Sequence, residues 1–168
     1  RQTNFFERGE KPLEIVTSRQ WYIRNGGRPW THESTGKDFN EELIERGRAL
    51  DFHPEFMRVR YENWVGGLNN DWLISRQRFF GVPFPLWYRI DEDGTTLYDQ
   101  LIIPDEADLP IDPSSDTPHG YTEDQRDQPG GFAAELDIMD TWATSSLSPQ
   151  IAAGWLEDED LFTRVYPC

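Results

Sequence analysis

The sequence predicts an α/β chain, and three observations carry that prediction. Residues 13–23 alternate apolar and polar side chains as a strand does, and residues 38–68 space apolar side chains at three and four. Residues 104–131 hold five prolines and no periodicity. A chain of 168 residues fits one ordinary domain, or a domain with a sub-lobe. Aliphatic side chains are few, but seven Trp, ten Phe and six Tyr supply enough ring surface for a core.

Taken in order, "RQTNFFERGEKP" (1–12) ends in turn chemistry. "LEIVTSRQWYI" (13–23) follows, with Leu13, Ile15 and Thr17 on one face against Glu14, Val16 and Ser18. "RNGGRP" breaks the strand. From Asp38 the period becomes helical: Asp38 is a cap, Glu41 completes the capping-box spacing, and Phe39, Leu43, Ile44 and Leu50 share a face over 38–50. Pro54 opens a second helix over 55–68, whose apolar stripe is Met57, Tyr61, Trp64 and Leu68. Gly66 and Gly67 weaken its end, and "LNND" turns the chain into "DWLISRQRFFGVPFPLWY" (71–88). "RIDEDGTTLYDQLIIP" reads as a hairpin around Asp93-Gly94. An irregular excursion follows. In "DIMDTWATSSLSPQIAAGW" (137–155) Ile138, Trp142 and Leu147 are the candidates for burial, with a helix from about Thr141 that stops near Pro149.

The net charge of −15 is unevenly spread. Residues 1–90 carry 14 Lys and Arg against 12 Asp and Glu, whereas residues 91–140 carry one Arg against 15 acids. The acidic middle reads as a solvated, loop-rich insertion that repels phosphates, which leaves nucleic-acid contacts to the first half. No run of about 18 apolar residues exists, so a transmembrane helix is excluded. The lone Cys168 forms neither an internal disulfide nor a metal site and by default fits a reducing, cytoplasmic compartment. Both ends, Arg1 and "RVYPC", read as cut edges of a longer protein.

No phosphate loop, His-Glu metal pair, Cys pair or Ser-His-Asp trio can be assembled. His32, His53 and His119 are scattered beside turn residues, and the acids of the middle lack the apolar surroundings a general acid needs. Arg58 and Arg60 stand either on a solvated helix face or against a nucleic acid. Arg76 and Arg78 alternate with Gln77, and they either brace strand ends or meet a carboxylate or phosphate.

The two remaining segments carry a resemblance. "DWLISRQRFFGVPFP" resembles the stretch that class I aminoacyl-tRNA synthetases of the isoleucine–leucine–valine group carry after their inserted editing domain. "DIMDTWATSS" is similar to the block that follows it, its Asp-Thr-Trp-x-x-Ser-Ser form closer to valyl than to isoleucyl members. "PLEIVTSRQWYI" resembles the return from the editing domain, and "FHPEFMRVRYENW" the helix before the first block. The four stand in family order and span essentially all 168 residues.

The resemblance implies the central part of such an enzyme, between the editing insertion and the second half of its Rossmann fold. It implies part of a doubly wound, Rossmann-like parallel sheet with helices and an irregular acidic insertion. The segments would be a return from the editing domain (1–36), a helical stretch with the first core block (37–90), the acidic insertion (91–136) and the second core block (137–168). The whole enzyme would activate valine with ATP and Mg and charge tRNA(Val). The family's His-Ile-Gly-His and Lys-Met-Ser-Lys-Ser signatures are absent from these residues, so the chain alone would do neither and holds no catalytic residue. Its implied contribution is an apolar wall for valine, carried over by motif as Phe80, Ile138 and Trp142, with Trp standing in many members where this chain has Phe80. Such a wall favours the right side chain by about 0.8 kcal/mol per methylene. In valyl enzymes as a class an apolar pocket rejects threonine only about a hundredfold, which explains their editing domain. Some relatives carry zinc-binding cysteine pairs within 91–136; with none here, no zinc is expected. An isoleucyl enzyme and a non-catalytic RNA- or protein-binding module are the alternatives.

Overall fold

The computed structural model describes residue 12, residues 17–25, residue 31 and residues 35–166. The turn expected before residue 13, residues 13–16 of the first strand, most of "RNGGRP", His32 and Cys168 lie outside the described residues.

Strand β1 is Tyr22–Ile23, the end of the expected 13–23 strand. Helix α1 (Phe39–Arg48) begins where the sequence places it, because Asp38 Oδ1 accepts from the amides of Asn40 (3.0 Å) and Glu41 (3.4 Å). Helix α2 (Met57–Gly66) packs against α1 through a close approach and an Arg48–Glu62 ion pair at 3.1 Å. Gly47 lies against the Tyr61 ring, and the Tyr61 hydroxyl donates to Leu43 O at 2.6 Å. That approach corrects the stripe expected on α2. With Tyr61 seated on Gly47, the residue one turn on, Val65, is the buried one, and Trp64 is rotated out into solvent.

Beyond α2 the strands are short. β2 (Trp72–Leu73) pairs with β1, and β3 (Ser75–Arg76) pairs with β7 (Ile138–Met139). β4 (Trp87–Ile90) sits between β5 (Thr96–Ile102) and β6 (Phe132–Ala134). All of these ladders are antiparallel, so the chain is mixed α/β, and parallel pairing among the described residues is confined to an isolated bridge between Arg126 and Phe132. The β4–β5 hairpin turns as expected around Asp93-Gly94. Asp91 Oδ1 accepts from the amides of Asp93 (3.0 Å) and Thr95 (2.7 Å), and Gly94 takes the left-handed φ of +81°.

The excursion after β5 holds only two single 3-10 turns, Glu106–Asp108 and Glu123–Gln125, in keeping with its prolines. Its acidic side chains stand in solvent, as expected of so acidic a stretch, while two of its prolines are covered. Trp87, Phe132, Pro113 and Pro118 are all fully buried. Arg126 ties the lobe together: its guanidinium donates to Pro113 O (2.8 Å) and Asp116 O (2.9 Å), pairs with Glu123 and lies 5.0 Å from the Phe132 ring centre. Trp87 Nε1 reaches the same two carbonyls at 3.2 Å. One cation collects the carbonyls that an irregular backbone leaves without ladder partners.

At the C-terminal end the expected helix is divided. α3 (Thr141–Ser145) starts at Thr141, but Pro149 opens α4 (Ser148–Ala152) rather than ending its predecessor, and α5 (Glu159–Val165) follows. Of the three expected burials only Ile138 is buried; Trp142 and Leu147 are exposed, since each lies on or beside a helix of a single turn.

Candidate functional site

The β3–β7 pair organises the site. Its register sets Arg76 opposite Ile138 and Ser75 opposite Met139. Alternation therefore sends the side chains of 75 and 77 to one face and that of 76 to the other.

On the first face Ser75 is 1% exposed, accepts from Trp21 N (2.8 Å) and donates to Gln20 Oε1 (2.6 Å). Gln77 Nε2 donates to Gln20 Oε1 (3.0 Å) and to Asp137 Oδ2 (2.8 Å). Burial pushes the Asp137 carboxyl up from its usual range, against the Gln77 hydrogen bond, with Glu135 adding to the rise. Ser75, the one nucleophile type in the 71–88 segment, is thus a buried tether and not a reactive group. Beside it Glu135 Oε2 accepts from Trp21 Nε1 (2.7 Å) and from the Tyr88 hydroxyl. Burial, then the Glu135 carboxylate, drive the Tyr88 phenol well above its ordinary value. Arg19 lies 3.4 Å over the Tyr98 ring in a cleft of about 510 Å³.

On the second face Arg76 reaches diagonally to Asp140, two residues beyond Ile138 on the same side of β7. Asp140 is 8% exposed. Its Oδ2 pairs with Arg76 Nη2, and its Oδ1 accepts from Trp142 N (2.7 Å) as the cap of α3. Arg76 Nη1 also donates to Leu73 O (3.0 Å) and Ser75 O (2.8 Å), so Arg76 does brace its strand. The pair borders two clefts. One, of about 470 Å³, is lined by Arg78, Phe80, Gly81, Val82 and Ile138. The other, of about 840 Å³ and largely apolar, is lined by Trp64, Leu68, Trp72, Trp142 and Ser145.

The structure therefore brings Phe80 and Ile138 together and sets Trp142 in the neighbouring cleft. Phe80 is 91% exposed and Trp142 76% exposed, so each presents nearly a whole ring. Ile138 is held under the backbone of Gly81: a Cβ on Gly81 would stand 2.2 Å from Ile138 Cδ1. Arg78 has no ion pair with the described residues. Arg58 and Arg60 line neither of these two clefts; Arg58 sits 3.9 Å from Glu55, and Arg60 lies 5.8 Å from the Phe56 ring centre. No group of three or more His, Cys, Asp or Glu among the described residues is placed to hold a metal ion, and no helix there is long and apolar enough to cross a membrane.

Sequence reasoning missed Asp140, Glu135 and Gly81. A signal existed for the first, an Asp directly before an expected helix start, which is cap chemistry. Gly81 showed only as a glycine within an aromatic run. Little marked Glu135, whose side-chain partners Tyr88 and Trp21 stand 47 and 114 positions away and whose one local contact is the Asp137 amide.

The chain is similar to several valine–tRNA ligases. It is 64% identical to that of Thermobifida fusca (strain YX) over 97% of this chain, and 63% identical to that of Bifidobacterium longum (strain NCC 2705) over 99%. It is 60% identical to that of Salinispora tropica over 97%. The chain spans about 18% of the length of each of these relatives. The family model for tRNA synthetases class I (I, L, M and V) matches residues 9–168. With the family matched over nearly its whole length, the chain belongs to the class I tRNA synthetases.

Proposed function

We propose that this chain serves within a valine–tRNA ligase, an enzyme that activates valine with ATP and Mg and transfers it to tRNA(Val). The observation that carries the reading is the 64% identity to a valine–tRNA ligase across 97% of the chain. The Asp-Thr-Trp-x-x-Ser-Ser block favours valine over isoleucine in the same direction. In this reading Phe80 and Ile138 wall the side-chain pocket from one cleft, and Trp142 closes it from the other. A side chain enclosed by such surfaces gains roughly 0.8 kcal/mol per buried methylene. The short antiparallel pairs then border a doubly wound parallel sheet completed by the rest of the enzyme. The divisions 1–36, 37–90, 91–136 and 137–168 belong to the same reading, as do a cytoplasmic location and tRNA contacts by Arg58, Arg60, Arg76 or Arg78. The acidic lobe closes on Arg126 without zinc.

Valine-dependent ATP–pyrophosphate exchange by the full-length enzyme tests the proposal. Exchange driven by valine above isoleucine is the expected result, and the 168-residue chain alone should show none. Exchange driven by isoleucine above valine would replace it with the isoleucyl reading.

A further inference from the structure

We infer that Arg76 and Asp140 form a positioning pair that sets the geometry between the two clefts and so tunes amino-acid affinity. The inference rests on the valine-activation reading and deepens it.

Four observations place the pair. Asp140 is almost wholly buried, whereas Phe80 and Trp142, the rings on either side, are open to solvent. Its two oxygens have separate tasks: Oδ2 meets Arg76 and Oδ1 caps α3 at Trp142 N. Its backbone amide donates to Ile74 O at 2.7 Å, which continues the β3–β7 register by one more step. Both residues line both clefts.

A carboxylate that joins a strand end, a helix start and a cation cannot move one without moving the others. Any rotation of Asp140 re-aims the first turn of α3, and with it Trp142, relative to Ile138. A carboxylate this buried depends on its hydrogen bonds and its cation. Removing Arg76 therefore leaves an unpaired charge, while neutralising Asp140 leaves an unpaired guanidinium. Neither residue need touch the substrate.

The test uses the full-length enzyme. Asp140→Asn keeps a cap acceptor for Trp142 N but removes the charge that holds Arg76. Arg76→Lys keeps the charge but loses the fork that spans Asp140, Leu73 O and Ser75 O. The expected result for D140N is a KM for valine raised on the order of tenfold, with KM for tRNA within about twofold of wild type. R76K should fall between wild type and D140N. The double variant R76Q/D140N should lose no more than the worse single variant, because the two residues act as one unit. The 19F resonance of 5-fluorotryptophan at position 142, assigned with W142F, should shift in D140N. Should D140N fail to fold, the double variant, which leaves no unpaired charge, carries the same measurements. Wild-type kinetics together with an unshifted Trp142 resonance, or strictly additive losses in the double variant, overturn the proposal. A wild-type enzyme that does not activate valine overturns the functional reading instead, and the resonance shift still tests the pair.

Discussion

Trp21 and Glu135 lie 114 positions apart and meet through a 2.7 Å hydrogen bond from the indole Nε1–H to Oε2. The same oxygen accepts from Tyr88, so one carboxylate joins the segment before β1 to the β4–β6 sheet. Trp21 also stacks on Phe84 at 5.8 Å. Trp21→Phe keeps that stacking and loses the donor, and should cost about 1–2 kcal/mol in urea unfolding of the chain. Glu135→Ala leaves three donors, Trp21 Nε1, the Tyr88 hydroxyl and the Asp137 amide, without their acceptor and should cost about 2–4 kcal/mol. A Glu135→Ala loss no larger than that of Trp21→Phe would show that the carboxylate's other bonds add nothing to the link.

Gly81→Ala places a methyl 2.2 Å from Ile138 Cδ1, with Cγ1 and Cβ at 3.1 and 3.2 Å. The side chain has to swing into the cleft beside Phe80 or the 81–83 backbone has to lift. Overpacking of this kind costs about 1–3 kcal/mol. In the full-length enzyme the expected signature is weaker valine activation with unchanged tRNA affinity; unaltered kinetics would separate Gly81 from the pocket.

Gly47→Ala drives a methyl to 2.0 Å from Tyr61 Cε1 and should separate α1 from α2, at about 1–3 kcal/mol. Tyr61→Phe, which loses only the hydroxyl donating to Leu43 O, should cost about 1 kcal/mol. Thermal unfolding of both variants ranks the two contributions, and a G47A loss no larger than that of Y61F would contradict the close approach.

Arg126→Ala should loosen the acidic lobe by about 2–4 kcal/mol, since it strips charged donors from Pro113 O and Asp116 O beside the buried Trp87. Lysine, with no planar fork, should restore only part of that loss. A chelator should leave the unfolding curve of the wild-type chain unchanged. Destabilisation by chelator would point to a metal in the lobe.

Asp137 gives the pH dependence. Burial raises its carboxyl in the folded chain, so the native state holds that proton to higher pH than the unfolded state does. Across that window the native state binds more protons, and stability falls as pH rises through it. Asp137→Asn retains an acceptor for Gln77 and removes the charge. The variant should be more stable than wild type at pH 7, and the gain should vanish below about pH 4, where the unfolded carboxylate is itself protonated. A variant less stable at neutral pH would mean that the charge is favourable where it stands.

Local chemistry made much of this chain legible. Asp38 starts α1, Asp93-Gly94 turns the hairpin, and the prolines keep the excursion irregular, because caps and turns depend on residues a few positions apart. The alternation of Arg76, Gln77 and Arg78 also announced two faces, and the register delivers them: Gln77 toward Gln20, Arg76 toward Asp140. The family blocks were readable for the same reason, as short ordered strings.

What the sequence by itself determined, then, is where elements start and stop and which side chains share a face. Tertiary structure decided which of those faces is covered. The α2 stripe turned by one position because Gly47 admits the Tyr61 ring, and Trp142 stands in the open because α3 has only one turn to place it. Pro113 and Pro118 of the acidic stretch are covered because Arg126 and Trp87 both reach the carbonyls of Pro113 and Asp116, while its acids stay in solvent. Propensity and capping act over one turn of chain, whereas burial depends on partners tens of residues away. Asp140 shows both: its cap was readable next to Thr141, and its Arg76 partner, across the whole acidic lobe, was not.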